Sequence, residues 1–163
     1  MKHGMISVLL VGLLGGCATG IGSTAKTPTI ENGEVDVTII MSQADLAYQQ
    51  GDLKAAEQAY LLAIEHSQSN APAQYRLGNT LARQNRYDEA IHAYKASLAQ
   101  DANQTEAYNN LATLYMIQAQ AILASGVDKL PANDGDTAQI KHMLWQLKRI
   151  TPDKLQDVDS QGK

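Results

Sequence analysis

"GDLKAAEQAYLLAIEHSQSNAPAQYRLG", residues 51–78, and "NRYDEAIHAYKASLAQDANQTEAYNNLA", residues 85–112, are variants of one pattern. Laid one on the other, Ala56 meets Ala90, Tyr60 meets Tyr94 and Gly78 meets Ala112, each at an offset of 34 residues. Apolar residues inside each copy recur at helical spacing. Ala73, Leu77 and Leu81 stand four apart, and Tyr108, Leu111, Ala112 and Tyr115 form a second stripe. The pattern predicts helices over 36–50, 53–66, 72–84 and 88–100, and a fifth beginning near Thr105. Pro72 is acceptable in a first helical turn.

A period of 34 with these residues resembles the tetratricopeptide repeat. The resemblance implies an all-α solenoid of about three helix-turn-helix repeats. It gives the small residues Ala44 and Gly78 the close approach within a helix pair. It places Ala56 and Ala90 where the second helix crosses the first, and Tyr60 and Tyr94 in the space between repeats. Gly51 and Asn85 fall in the turn, where positive φ is tolerated.

The third unit departs from the period. A turn is due near residue 121, yet "YMIQAQAILASGVDKLPANDGD" continues as a helix to about Ala124 and then reads as a loop around 125–135. A second helix follows in "DTAQIKHMLWQLKRITPD". Its inward stripe is Ile140, Leu144 and Leu147, and Asp136 with Gln139 reads as a capping box. Pro152 stands where an end-of-repeat proline belongs, but 16 residues late. The third repeat thus carries an insertion between its helices, either a functional loop or a neutral elongation. Beyond it the tail is short and polar, although solenoids usually close on a polar-backed cap. Trp145, the only tryptophan, is a candidate partner contact on that last helix.

The other informative stretch is "LLVGLLGGC", residues 9–17, which ends in the only cysteine. A basic start and an apolar run of about ten residues, too short for the roughly 20 that span a bilayer, read as a secretory signal peptide over residues 1–16. Leu14-Gly15-Gly16-Cys17 resembles the lipobox of bacterial lipoproteins. The resemblance implies cleavage after Gly16 and a diacylglycerol thioether on Cys17. With two or more acyl chains such a group holds a protein on a membrane. Ala18, in place of the Asp that favours inner-membrane retention, leans toward the periplasmic face of the outer membrane. Residues 17–33 then form a lipidated tether rich in Gly, Thr and Ser, 34–152 the repeat domain and 153–163 a polar tail.

Charge and chemistry narrow the function. The 163 residues hold 13 Lys and Arg against 17 Asp and Glu. Without the signal peptide the net charge is about −5, with no basic cluster, so nucleic acid and anionic headgroups are poor partners. One cysteine permits no internal disulfide. His66, His92 and His142 each stand alone on an expected helix, and no hydrolase, metalloprotease or nucleotide-binding motif occurs. Asp128, Asp134 and Asp136 lack the spacing of a calcium loop, so no metal, cofactor or enzymatic activity is expected.

Binding remains. The resemblance lines a groove with Met41, Asp45 and Tyr48, with Tyr75, Asn79 and Arg83, and with Asn109, Thr113 and Met116. At the positions of the family's carboxylate clamp stand Met41, Asp45, Arg76, Glu106 and Asn110. Only Arg76 and Asn110 could donate, and Asp45 and Glu106 would repel. The mixed groove suits a peptide segment of another protein. Lipobox and repeats together resemble small tetratricopeptide lipoproteins of Gram-negative envelopes, among them pilotin-like and type IV or Tad/Flp pilus assembly lipoproteins. That implies a membrane-anchored adaptor for a secretin or pilus subunit. A scaffold for peptidoglycan enzymes or polysaccharide export is the alternative, and an accessory periplasmic enzyme a distant third. Oligomeric state is left open by the sequence.

Overall fold

A computed structural model describes residues 36–67, 69–131 and 135–151. The expected signal peptide and tether, with Cys17, Pro152 and the polar tail, therefore lie outside the described residues. Six helices follow one another: α1 (Val37–Gln50), α2 (Leu53–His66), α3 (Ala71–Arg83), α4 (Tyr87–Gln100), α5 (Thr105–Lys129) and α6 (Gly135–Ile150). Each packs chiefly on its neighbours in sequence, α1 on α2, α2 on α3, α3 on α4, α4 on α5 and α5 on α6. The result is an all-α stack of three helical hairpins.

Local chemistry sets the helix ends. Asp36, Asp52 and Asn70 cap α1, α2 and α3 by accepting from the backbone N–H of Thr38, Ala55 and Ala73 at 2.9–3.0 Å. Gly51 ends α1 at φ 80°, and Asn85 occupies the matching turn at φ 60°. Those left-handed residues are 34 apart. The next position in that register is Ala119, which sits inside α5. Without a residue suited to positive φ, the helix runs on. α5 is 25 residues long against 14 for α1 and 13 for α3, about three turns more.

The insertion is there, but it is not all loop. Residues 125–129 are helix, so the first five residues of what reads as a loop extend α5. α6 packs on that extension. Thr137 Oγ1 donates to the carbonyl of Pro131 at 2.8 Å. A methyl added to Gly126 would lie 3.7 Å from the Ile140 side chain. Gln120 Nε2 donates to Thr151 Oγ1 at 2.6 Å. α6 begins one residue before Asp136, which lies in its first turn rather than at its cap.

The main core joins Ala44, Tyr48, Ala56, Tyr60, Tyr75, Leu77, Leu81, Ala90, Tyr94 and Leu114. It fills the first two hairpins and the start of α5. In α6 only Thr137 is buried.

Candidate functional site

Two triads, one repeat apart, cross the seams between hairpins. In the first, the Tyr60 hydroxyl donates to Asp45 Oδ1 at 2.5 Å, and Arg76 Nε lies 3.5 Å from the same oxygen. In the second, the Tyr94 hydroxyl donates to Asn79 Oδ1 at 2.7 Å, and Asn110 Nδ2 donates to that oxygen at 3.0 Å. Tyr60 and Tyr94, Asp45 and Asn79, and Arg76 and Asn110 are each separated by 34 residues. In each triad α1 or α3 supplies an acceptor, its own second helix a phenol and the next repeat a donor. At the third place Thr113 bonds within its helix, its hydroxyl donating to the carbonyl of Asn109 at 2.8 Å. Burial and the neighbouring Asp45 push the Tyr60 hydroxyl well above its ordinary pKa.

These triads change the meaning of several expected groove residues. Asn79, Tyr75, Tyr48 and Thr113 are buried, each 4–5% exposed. Asn110, one of the two possible clamp donors, is fully buried, its amide 3.3 Å and 3.4 Å from the Tyr75 and Tyr94 hydroxyls. Arg76, the other, is engaged with Asp45. They hold the stack together from within. Arg83 is exposed but also placed, with its guanidinium 4.5 Å from the Tyr48 ring centroid and Nη1 donating to the Tyr48 carbonyl at 3.2 Å.

Met41 and Met116 remain half-buried, and Asn109 is exposed. Met41, Tyr75 and Asn109 share one register position. The middle member is recessed because α3 has a hairpin on either side, so the flanking residues stand proud of a shallow floor. A cleft of about 250 Å³ opens beside this floor, lined by Pro72, Tyr75, Arg76, Asp101, Gln104 and Glu106. Such a surface offers thioether and ring edges for apolar contact and amides and carboxylates at the rim.

A third polar cluster ties α2 to the α3–α4 turn. Arg86 Nη1 donates to both Glu57 oxygens at 2.7 Å, and its Nε donates to Glu89 at 2.7 Å. Gln84 adds a bond to Glu57 at 3.0 Å. Hydrogen bonding from Arg86 holds the Glu57 and Glu89 carboxyls below their usual range.

Trp145 is 54% exposed on α6. Its indole lies between His142, stacked at 6.0 Å, and Arg149, whose guanidinium carbon is 4.6 Å from the ring centroid. Among the described residues no group of three metal-ligating side chains comes together. None of the helices there is long and apolar enough to cross a membrane.

Sequence reasoning placed Tyr60 and Tyr94 between repeats but missed their bonds to Asp45 and Asn79 and the seam roles of Arg76 and Asn110. The signal was available, because all three members of each triad keep the 34-residue spacing.

Comparison with known families agrees with this geometry. The tetratricopeptide repeat model matches residues 37–70, which span α1 and α2. The TPR repeat model matches residues 78–118, from within α3 into α5. No curated protein matches the chain. The fold is an all-α tetratricopeptide solenoid. Repeats of this kind present extended concave surfaces for binding, which implies protein partners.

Proposed function

We propose that the chain is a lipid-anchored periplasmic adaptor of the outer membrane. It would hold a peptide segment of an envelope machine, such as a secretin or a pilus-assembly subunit, and aid that machine's assembly or localisation. The observation that carries the reading is the union, in one chain, of Leu14-Gly15-Gly16-Cys17 after a short apolar run and of stacked repeats with a recessed face. A lipid on Cys17 would concentrate a bound client at the bilayer, which converts a weak contact into an effective one without adding any. No covalent step by the folded part is needed, and no cofactor is invoked beyond the lipid itself.

The experiment separates anchor from groove. Cells labelled with radioactive palmitate should mark the wild-type protein, and Cys17→Ser should abolish both the label and its place in the outer-membrane fraction. Asn109→Glu changes an exposed rim side chain and leaves Met41, which packs on the core, in place. That variant should stay anchored while secretin multimers or pili fail to accumulate. An unlabelled wild type refutes the anchor. Undiminished secretin and pili in the groove variant, with altered peptidoglycan hydrolysis or polysaccharide export instead, would move the adaptor to the alternative machine.

A further inference from the structure

The 34-residue register shows which face of each first helix its own second helix covers. Four positions decide it. At the first stand Ile40, Gln74 and Tyr108; at the second Gln43, Leu77 and Leu111; at the third Ala44, Gly78 and Ala112; at the fourth Ala47, Leu81 and Tyr115. In the first two hairpins the small residue is sealed. Ala44 is fully buried, and a methyl on Gly78 would meet the Tyr94 ring at 2.6 Å. In the third hairpin Ala112 is exposed, Tyr108 is 51% exposed and Tyr115 44%. The cause is the long α5. Because Ala119 does not turn the chain, α6 returns along residues 119–131 and leaves one face of the earlier turns of α5 open, with the Lys95 ammonium, 5.5 Å from the Tyr115 ring centroid, reaching its edge. The place that α2 and α4 take in their hairpins has no described helix in the third.

What covers this register in the other two repeats is equally specific. It is a helix bearing a small residue and, four positions later, a tyrosine: Ala56 with Tyr60 in α2, Ala90 with Tyr94 in α4. The remainder of this chain holds no such segment. There is no Phe, and all seven Tyr and the one Trp lie within the six helices, so residues 1–35 and 152–163 contain no aromatic side chain. The tail carries three aspartates among its twelve residues and only Leu155 and Val158 as large apolar groups.

We propose that the face of α5 formed by Tyr108, Ala112 and Tyr115 receives an amphipathic helix of another protein, which lays an aromatic ring over Ala112 and thereby completes the third repeat. The incoming helix continues an interface already built twice in this fold. Its ring requires no strong acceptor, since Thr113 replaces Asp45 and Asn79 and its hydroxyl is bonded within α5. A phenylalanine therefore serves as well as a tyrosine. This face lies about a quarter-turn around α5 from Asn109, Thr113 and Met116. The proposal stands whether or not Cys17 is lipidated and whether or not the groove is used.

The test uses a defined probe, the synthetic peptide YDEAIHAYKASLAQ, which is the α4 sequence, Tyr87–Gln100. Added to the full chain carrying Cys17→Ser, it should bind saturably and gain helicity. It should also slow amide exchange in the first half of α5. A peptide with Ala at the Tyr94 position should bind about tenfold more weakly or worse, since a central aromatic anchor carries most of such a contact. Ala112→Arg in the protein, an exposed position, should abolish binding while circular dichroism and melting temperature stay unchanged. Peptide binding indifferent to Ala112→Arg, or no binding of the peptide, overturns the proposal. So does a stable dimer dispersed by Ala112→Arg, which would assign the face to a second copy. Binding that appears only after removal of residues 152–163 would assign it to the tail.

Discussion

Gly78 has a tyrosine ring where its Cβ would be, and that close approach sets the spacing of α3 and α4. The ring cannot retreat, because Tyr94 is fully buried and its hydroxyl is fixed on Asn79. Gly78→Ala should gain about 1 kcal/mol of helix propensity and lose about 1–3 kcal/mol to overpacking. The expected net result is a lower urea midpoint at unchanged slope. Two adjacent asparagines should behave oppositely. Asn110→Ala strips a donor from a buried network and should cost about 1–3 kcal/mol, whereas Asn109→Ala, on the exposed rim, should stay within about 0.5 kcal/mol. Chemical denaturation of the pair decides it, and equal costs would contradict the seam. The small residues were legible in the sequence, because only Gly or Ala permits two helices to touch at that register. The seam bonds were harder to see. The same Asn can solvate a surface or satisfy a phenol, and stacking decides which.

At the scale of the element, Arg86 joins Glu57 of α2 to Glu89 of α4. Both carboxyls are held below their usual range by its hydrogen bonds, so they favour the charged form when folded. That contribution is full above the ordinary carboxylate pKa of 4.5 and fades as pH falls through the lowered folded values. Arg86→Met should therefore reduce stability at neutral pH, and the gap from wild type should close in acid. Thermal melts from pH 7 downward measure it, and a gap that persists in strong acid would show that Arg86 acts through packing alone. Helix boundaries of α1 to α4 were readable to within one residue, since caps, Pro72 and the two left-handed turns are local signals. The length of α5 was not. Nothing local stops a helix at Ala124 or carries it to Lys129; the extension lies against α6, with Gly126 facing Ile140 and the Pro131 carbonyl accepting from Thr137 across the hairpin.

For the molecule as a whole, stability falls off toward the C-terminal end. The main core lies in α1 to α4 and the start of α5, while α6 buries one side chain. In a solenoid each unit depends on its neighbours, so the last hairpin should open first. Hydrogen exchange should run fastest in α6, slower in α1 and α2, and slowest in α3 and α4. Trp145→Ala should change stability by no more than about 0.5 kcal/mol, because the ring is exposed and its ring partners, His142 and Arg149, belong to its own helix. Its loss would then be felt in partner binding or not at all, and a fall in melting temperature of several degrees would place the ring in the core. The amino-acid order by itself determined the period, the helical hairpins and the sites of close approach, since these rest on spacing along the chain and on which residues tolerate a turn or a contact. Only the tertiary structure decided that Asn79 and Asn110 are bonded into the seams, that Tyr75 is recessed between them, and that α6 leaves Ala112 uncovered. Burial is a property of what stacks on a residue, and the stacking partner lies a full repeat away or, at the last repeat, is displaced.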